Sequence, residues 1–153
     1  MEEGRLALLK AAISKQVMLI EQIYDRVEKR KRAESEAELE SLGYQLHNLY
    51  CAFEDVFKLV AEAFESHIDD VGRYRVQLLW KMSLEIEGVR PSLLSEESVR
   101  LLDNLRSFRH FFRHAYGYEL DRRRLRIVLE DALKLRDFYR SDIDRFLTAL
   151  SQG

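Results

Sequence analysis

Arg106, Arg109, His110, Arg113, His114 and Tyr116 fall within eleven residues, in the run Arg106-Ser-Phe-Arg109-His110-Phe-Phe-Arg113-His114-Ala-Tyr116. With Arg109 at zero and about 100° per helical residue, Arg113 falls near 40°, Arg106 near 60°, His110 near 100°, His114 near 140° and Tyr116 near 340°. Leu105, Phe108, Phe111, Phe112 and Ala115 occupy the arc from about 200° to 320° on the same wheel. One face is therefore expected in the core. The other presents three guanidiniums, two imidazoles and a phenol together.

No acid separates Asp103 from Glu119, so this is not the mixed charge pattern of a solvated helix face. From Arg100 to Arg126 there are eight arginines, no lysine and three acids, a local excess of five positive charges that leaves the rest of the chain at minus seven. The whole-chain charge of -2 averages two differently charged regions and does not exclude a nucleic-acid ligand. Arginine suits phosphate, which accepts two parallel hydrogen bonds from a planar guanidinium. An imidazole among guanidiniums is disfavoured in its charged form and is available as a neutral base. Such a base can take the proton of a ribose 2′-OH while an arginine neutralises charge on the phosphoryl oxygens. This chemistry requires no metal or other cofactor and selects RNA over DNA. His110 and His114 also have the i, i+4 spacing of a metal pair, but the neighbouring guanidiniums repel a cation.

These residues need a rigid support, and composition indicates its class. The chain has 153 residues with 6 Gly and 1 Pro, too few turn formers for a many-stranded fold, so an all-α protein of about five helices forming a single domain over residues 1–153 is expected. Apolar spacing writes a first helix through about residue 30. A second runs from a Ser35/Glu38 capping box to about Ile68, and a third from Tyr74 to near Gly88. Ser95, followed by Glu96 and Glu97, is expected to cap a fourth helix running to Ala115 or Tyr116 and stopped at Gly117; Asp121 caps a fifth. Trp80, Phe53, Phe57 and Phe64 are expected in the core by their spacing. Cys51, with no basic neighbour on its helix, is expected to be a buried inert thiol. His47 and His67 stand alone and carry no argument. Arg122, Arg123, Arg124 and Arg126 suit either RNA or an exposed turn.

A single cysteine, a first decade without a signal peptide's pattern and no long apolar run point to a cytoplasmic protein without membrane contact through a span.

Arg109, polar His110, His114 four residues on and Tyr116 two beyond it together resemble the R-x4-6-H-x-Y motif of HEPN-domain ribonucleases of the HepT-like toxin kind. Tyr44-Gln-Leu-His-Asn-Leu-Tyr50, Met82-Ser-Leu-Glu-Ile and Tyr116-Gly-Tyr-Glu-Leu-Asp121 extend the resemblance along most of the chain. The resemblance implies an up-and-down HEPN-like bundle that forms a homodimer, the two motif helices lining one RNA-cleaving cleft. Arg109 and His114 match the catalytic pair and His110 the polar residue after the arginine. Tyr116 matches the acceptor of AMP from a minimal nucleotidyltransferase antitoxin; its alternative is a packing residue near the helix end. Arg106 and Arg113 are additional to the motif and are expected to position phosphate. The competing function is a non-catalytic HEPN module that binds a nucleotidyltransferase or a nucleotide.

Overall fold

The computed structural model describes residues 2–64, 74–114, 117 and 119–152. They form five α-helices: α1 Glu3–Lys29, α2 Glu36–Phe64, α3 Tyr74–Lys81, α4 Glu96–Arg113 and α5 Arg122–Gln152. Among the described residues the extended structure is limited to one isolated antiparallel bridge, Ile86 with Arg90. Helix α2 packs against all four others, with α1 beside it and the α4/α5 pair across it. It is the most apolar of the five, and Leu42, Leu46, Leu49, Phe53, Val56, Phe57 and Val60 are all buried. Tyr24 of α1, Phe53 of α2 and Tyr139 of α5 join three helices at the centre. Tyr24 stacks on Tyr139 at 5.8 Å, and Phe53 meets Tyr139 edge-on at 5.1 Å. The Tyr24 hydroxyl donates to the Ala132 carbonyl at 2.8 Å, which satisfies a phenol that burial holds neutral.

The helix ends follow the local sequence. Ser35 and Glu38 form a reciprocal capping box, with N–H to side-chain distances of 3.0 and 3.1 Å. Ser95 caps α4 by accepting from the Ser98 N–H, and Asp121 Oδ1 accepts from the Arg123 N–H at 2.9 Å. On the α1 side of the α1/α2 turn, Arg30 turns back to donate to the Arg26 carbonyl.

Three expectations need correction here. Helix α3 ends at Lys81 rather than near Gly88, because Arg90 draws the chain into a different structure. Its buried guanidinium donates to the carbonyls of Lys81, Leu84 and Pro91 at 3.0–3.1 Å, and Gly88 turns the chain between Ile86 and Arg90 at φ +77°. Trp80 is not core but 58% exposed; among the described side chains of this short helix, Leu78 and Leu79 are the buried ones. Helix α4 stops at Arg113, with His114 as its C-cap at φ -106°. Phe53 and Phe57 are buried and Phe64 packs partly buried on the core. The segment beyond Phe64 toward Ile68, together with His67, Ala115 and Tyr116, lies outside the described residues.

Two devices fix α4 in place. Buried Asp142 of α5 accepts from the Ser95 N–H, the Ser95 hydroxyl and the Ser98 hydroxyl, at 3.1, 3.0 and 2.5 Å, and so places a negative charge at the positive end of α4. Near the other end, Gly43 lets α2 approach closely: a Cβ there would stand 3.3 Å from Leu120 Cδ1 and 3.4 Å from Phe112 Cε1.

Asp142→Ala is expected to destabilise the protein by about 2–4 kcal/mol, since hydrogen bonds to a charged group are each worth about 1.5–3 kcal/mol and are not additive. Thermal melts check it, with a midpoint lowered by roughly 4–16 °C at about 2–4 °C per kcal/mol. Gly43→Val is expected to cost about 1–3 kcal/mol by overpacking the α2/α4 seam, read as a lower denaturant midpoint at unchanged slope.

Candidate nucleic-acid interface

The motif residues divide by their angle around α4. Leu105 and Phe108 are fully buried and Phe112 partly, as the wheel requires. Phe111 is only partly covered and lies under the Arg124 guanidinium, 4.5 Å from its ring centroid. His110, Arg113 and His114 are exposed, and the two imidazoles lie side by side with ring centroids 4.8 Å apart. Among the described residues no carboxylate lies within ion-pair distance of Arg113.

Arg109 and Arg106 depart from the expected open face. Arg109 is buried at 7% exposure, and its Nε donates to Cys51 Sγ of α2 at 3.2 Å. This corrects the expectation that Cys51 has no basic neighbour. The thiol is half-buried and its neighbour comes from another helix, which spacing along α2 alone does not reveal. Arg106 pairs with Asp103 one turn back, Nε to Oδ1 at 2.9 Å, so it is not free to meet phosphate in this state.

Beside Arg109 runs a polar stripe of α2 that reading the sequence missed. His47, Cys51, Glu54 and Lys58 fall within about 60° of the helix circumference at 100° per residue, on a helix otherwise buried by leucine and aromatics. Glu54 is 3% exposed, and burial pushes its carboxyl pKa up while Lys58 and Arg109 pull it down. The Tyr50 hydroxyl is buried and finds no hydrogen-bond partner among the described residues, and desolvation together with Glu54 raises its pKa well above the phenol range. His47 does not stand alone. Its ring meets Phe112 edge-on at 5.8 Å, and its pKa is lowered by burial and by the charges of Arg109 and Arg113, against an opposing contribution from Asn48. The signal was present as polar residues at helical spacing; the facing helix was not.

The arginines at the start of α5 have a structural use. Arg122 Nη2 donates to the Glu34 carbonyl at 2.5 Å, and Arg126 donates to the carbonyls of Lys31 and Ala33 at 2.6 and 2.7 Å. They tie α5 to the turn between α1 and α2. Next to them a cleft of about 740 Å³ opens between the start of α2 and the end of α4. Glu34, Glu36, Glu40 and Glu119 line it along with Arg113 and Arg122, so its walls repel a polyanion. Arg113, which lines this cleft, is also the guanidinium on the exposed face of His110 and His114.

Among the described residues no group of three or more His, Cys, Asp or Glu side chains is placed to hold a metal ion, and no helix is long and apolar enough to cross a membrane. Tyr116 lies outside the described residues, two positions beyond the His114 cap.

Neither the curated proteins nor the solved structures hold a match to this chain. The family model described as HepT-like protein matches residues 41–150, which takes in the polar stripe of α2, the whole of α4 and nearly all of α5. The all-helical fold and this match over most of the chain place it in the HepT-like family.

Proposed function

We propose that this chain is a metal-independent endoribonuclease of the toxin kind that acts in the cytoplasm as a homodimer. The observation that carries the reading is the exposed cluster of His110, Arg113 and His114 at the end of α4, backed by the buried charge of Arg109, in a chain of the HepT-like family. Arg113 and His110 hold the phosphate. His114 transfers a proton, and Arg109 acts from behind the helix surface as a fixed positive charge on the developing phosphoryl oxyanion. In the reaction the ribose 2′-oxygen attacks phosphorus, a histidine takes its proton, and the bond to the 5′-oxygen breaks. The products are a 2′,3′-cyclic phosphate and a 5′-hydroxyl, the latter formed on proton return to the leaving oxygen.

A two-fold arrangement of two α4 helices would place like charges opposite one another, and the polyanion between them offsets that repulsion. Arg106 joins the phosphate-binding set once substrate competes with Asp103. Silencing by a minimal nucleotidyltransferase follows the same electrostatics: AMP on Tyr116, two residues past His114, brings an anion to a site built for phosphate.

Purified protein is expected to cleave RNA in EDTA, and His114→Ala to lower the rate by roughly 100-fold or more, the usual scale of general acid–base catalysis. Gel analysis of the products checks this; equal cleavage by both proteins would remove His114 from the mechanism. A non-catalytic partner-binding module would instead cut nothing and still bind its partner after Arg109→Ala. Mass spectrometry of protein co-expressed with a nucleotidyltransferase is expected to find AMP on Tyr116, and an unmodified Tyr116 in an inactive complex would count against it.

A further inference from the structure

Arg124 stands at the α4/α5 seam and is exposed. Its guanidinium sits over the Phe111 ring, 4.5 Å from the centroid, and its N–H groups meet no acceptor or carboxylate among the described residues. Arg122 and Arg126 are drawn to backbone carbonyls, so they do not converge with it on one anion. The surroundings are instead apolar. The contacts Asn104 with Asp131 and Phe111 with Arg124 are seven residues apart on each helix, which sets α4 and α5 antiparallel along this seam. Between them, Ile127 stands 58% exposed on the solvent side, one turn on from Arg124, while its neighbour Val128 is buried. Phe111 itself is only partly covered.

A phosphate gains nothing from the ring or the isoleucine. A nucleobase gains from all three groups, because its π-face stacks on a guanidinium plane and its faces cover apolar surface. The platform also adjoins the face of His110, Arg113 and His114. His114 follows Phe111 by three residues, its N–H donates to the Phe111 carbonyl at 3.1 Å, and the two side chains lie about 60° apart round the helix, as surface neighbours. We propose that Arg124, seated on Phe111 and flanked by Ile127, binds the base of a nucleotide adjoining the phosphate held by His110, Arg113 and His114. The subsite rests on the ribonuclease reading for the identity of that phosphate as the scissile one. It favours single strands, whose unstacked bases are free to lie on it, over duplex RNA.

The test measures binding by fluorescence anisotropy with labelled single-stranded 2′-O-methyl RNA of mixed sequence, which lacks the attacking hydroxyl, and with an abasic chain of the same length. Wild-type, Arg124→Ala and Arg124→Lys proteins are compared, and thermal midpoints check that each is folded. Arg124→Ala is expected to weaken RNA binding roughly tenfold, the scale of one stacked base, and to leave binding of the abasic chain within about twofold. Arg124→Lys keeps the charge and loses the plane, and is expected to behave like Arg124→Ala. In cleavage of unmodified RNA in EDTA, Arg124→Ala is expected to raise KM by a similar factor with kcat little changed. Equal weakening of both chains, restored by Arg124→Lys and with a salt slope lower by about one, makes Arg124 a phosphate contact and overturns the base subsite. Unchanged RNA binding by folded Arg124→Ala also overturns it and leaves the ribonuclease reading intact. A wild-type protein that shows the expected binding pattern and cuts nothing removes the ribonuclease reading and keeps the subsite; one that binds neither chain removes both.

Discussion

A permanent positive charge, Arg109, is held almost out of solvent in the seam between α2 and α4. A guanidinium cannot shed its proton to escape burial, so the seam has to be built around it. Cys51 takes its Nε, and Glu54 and Tyr50 stand on the same side of α2 within reach of its field. The field also reaches His47, where it works with burial to keep the ring neutral. Four polar residues of α2, His47, Tyr50, Cys51 and Glu54, thus lie within reach of one guanidinium.

Because the seam decides where the charge sits, the supports of α4 matter more than the details of the core. Gly43 permits the close approach at one end, and Asp142 holds the Ser95 cap at the other. Between these two points the helix has little freedom to rotate, and a rotation of one residue position, about 100°, would exchange the phenylalanine arc for the arginine arc. The attitude of the chemical face is therefore set by contacts with α2 and α5 rather than by the motif residues themselves. Arg122 and Arg126 extend the same logic to the α1/α2 turn, where three backbone carbonyls are held by side chains from α5.

Reading the sequence recovered what is local. Capping boxes, helix periods and the two faces of α4 are dictated by neighbours within four residues, and Ser35, Ser95, Asp121 and Phe108 behave as their spacing requires. The misses are non-local. Cys51 and Arg109 are 58 residues apart, and no pattern on either helix announces the other. Trp80 follows an apolar period into solvent because its helix ends one residue later, at Lys81, under the pull of Arg90 from the next loop. His47 looks isolated in the sequence for the same reason: its partners are on α4. The candidate site was thus half legible, since the α4 residues share a helix face and the α2 residues join them only through packing.

The arginine count illustrates how packing reassigns a sequence-level charge. Of the eight arginines from Arg100 to Arg126, Arg100 is paired with Glu97 and Arg106 with Asp103. Arg122 and Arg126 hold carbonyls, and Arg124 covers Phe111. Arg109 is in the seam and Arg123 lies at the α5 cap, which leaves Arg113 as the exposed guanidinium on the face of His110 and His114. The arginines behind the local excess of five charges are therefore mostly engaged in contacts within the fold. What remains on that face suits one phosphate group more than a strand. On the ribonuclease reading, grip on the rest of an RNA has to come from a second copy of the same face, so that duplicating the site by two-fold symmetry supplies the phosphate contacts that one chain lacks.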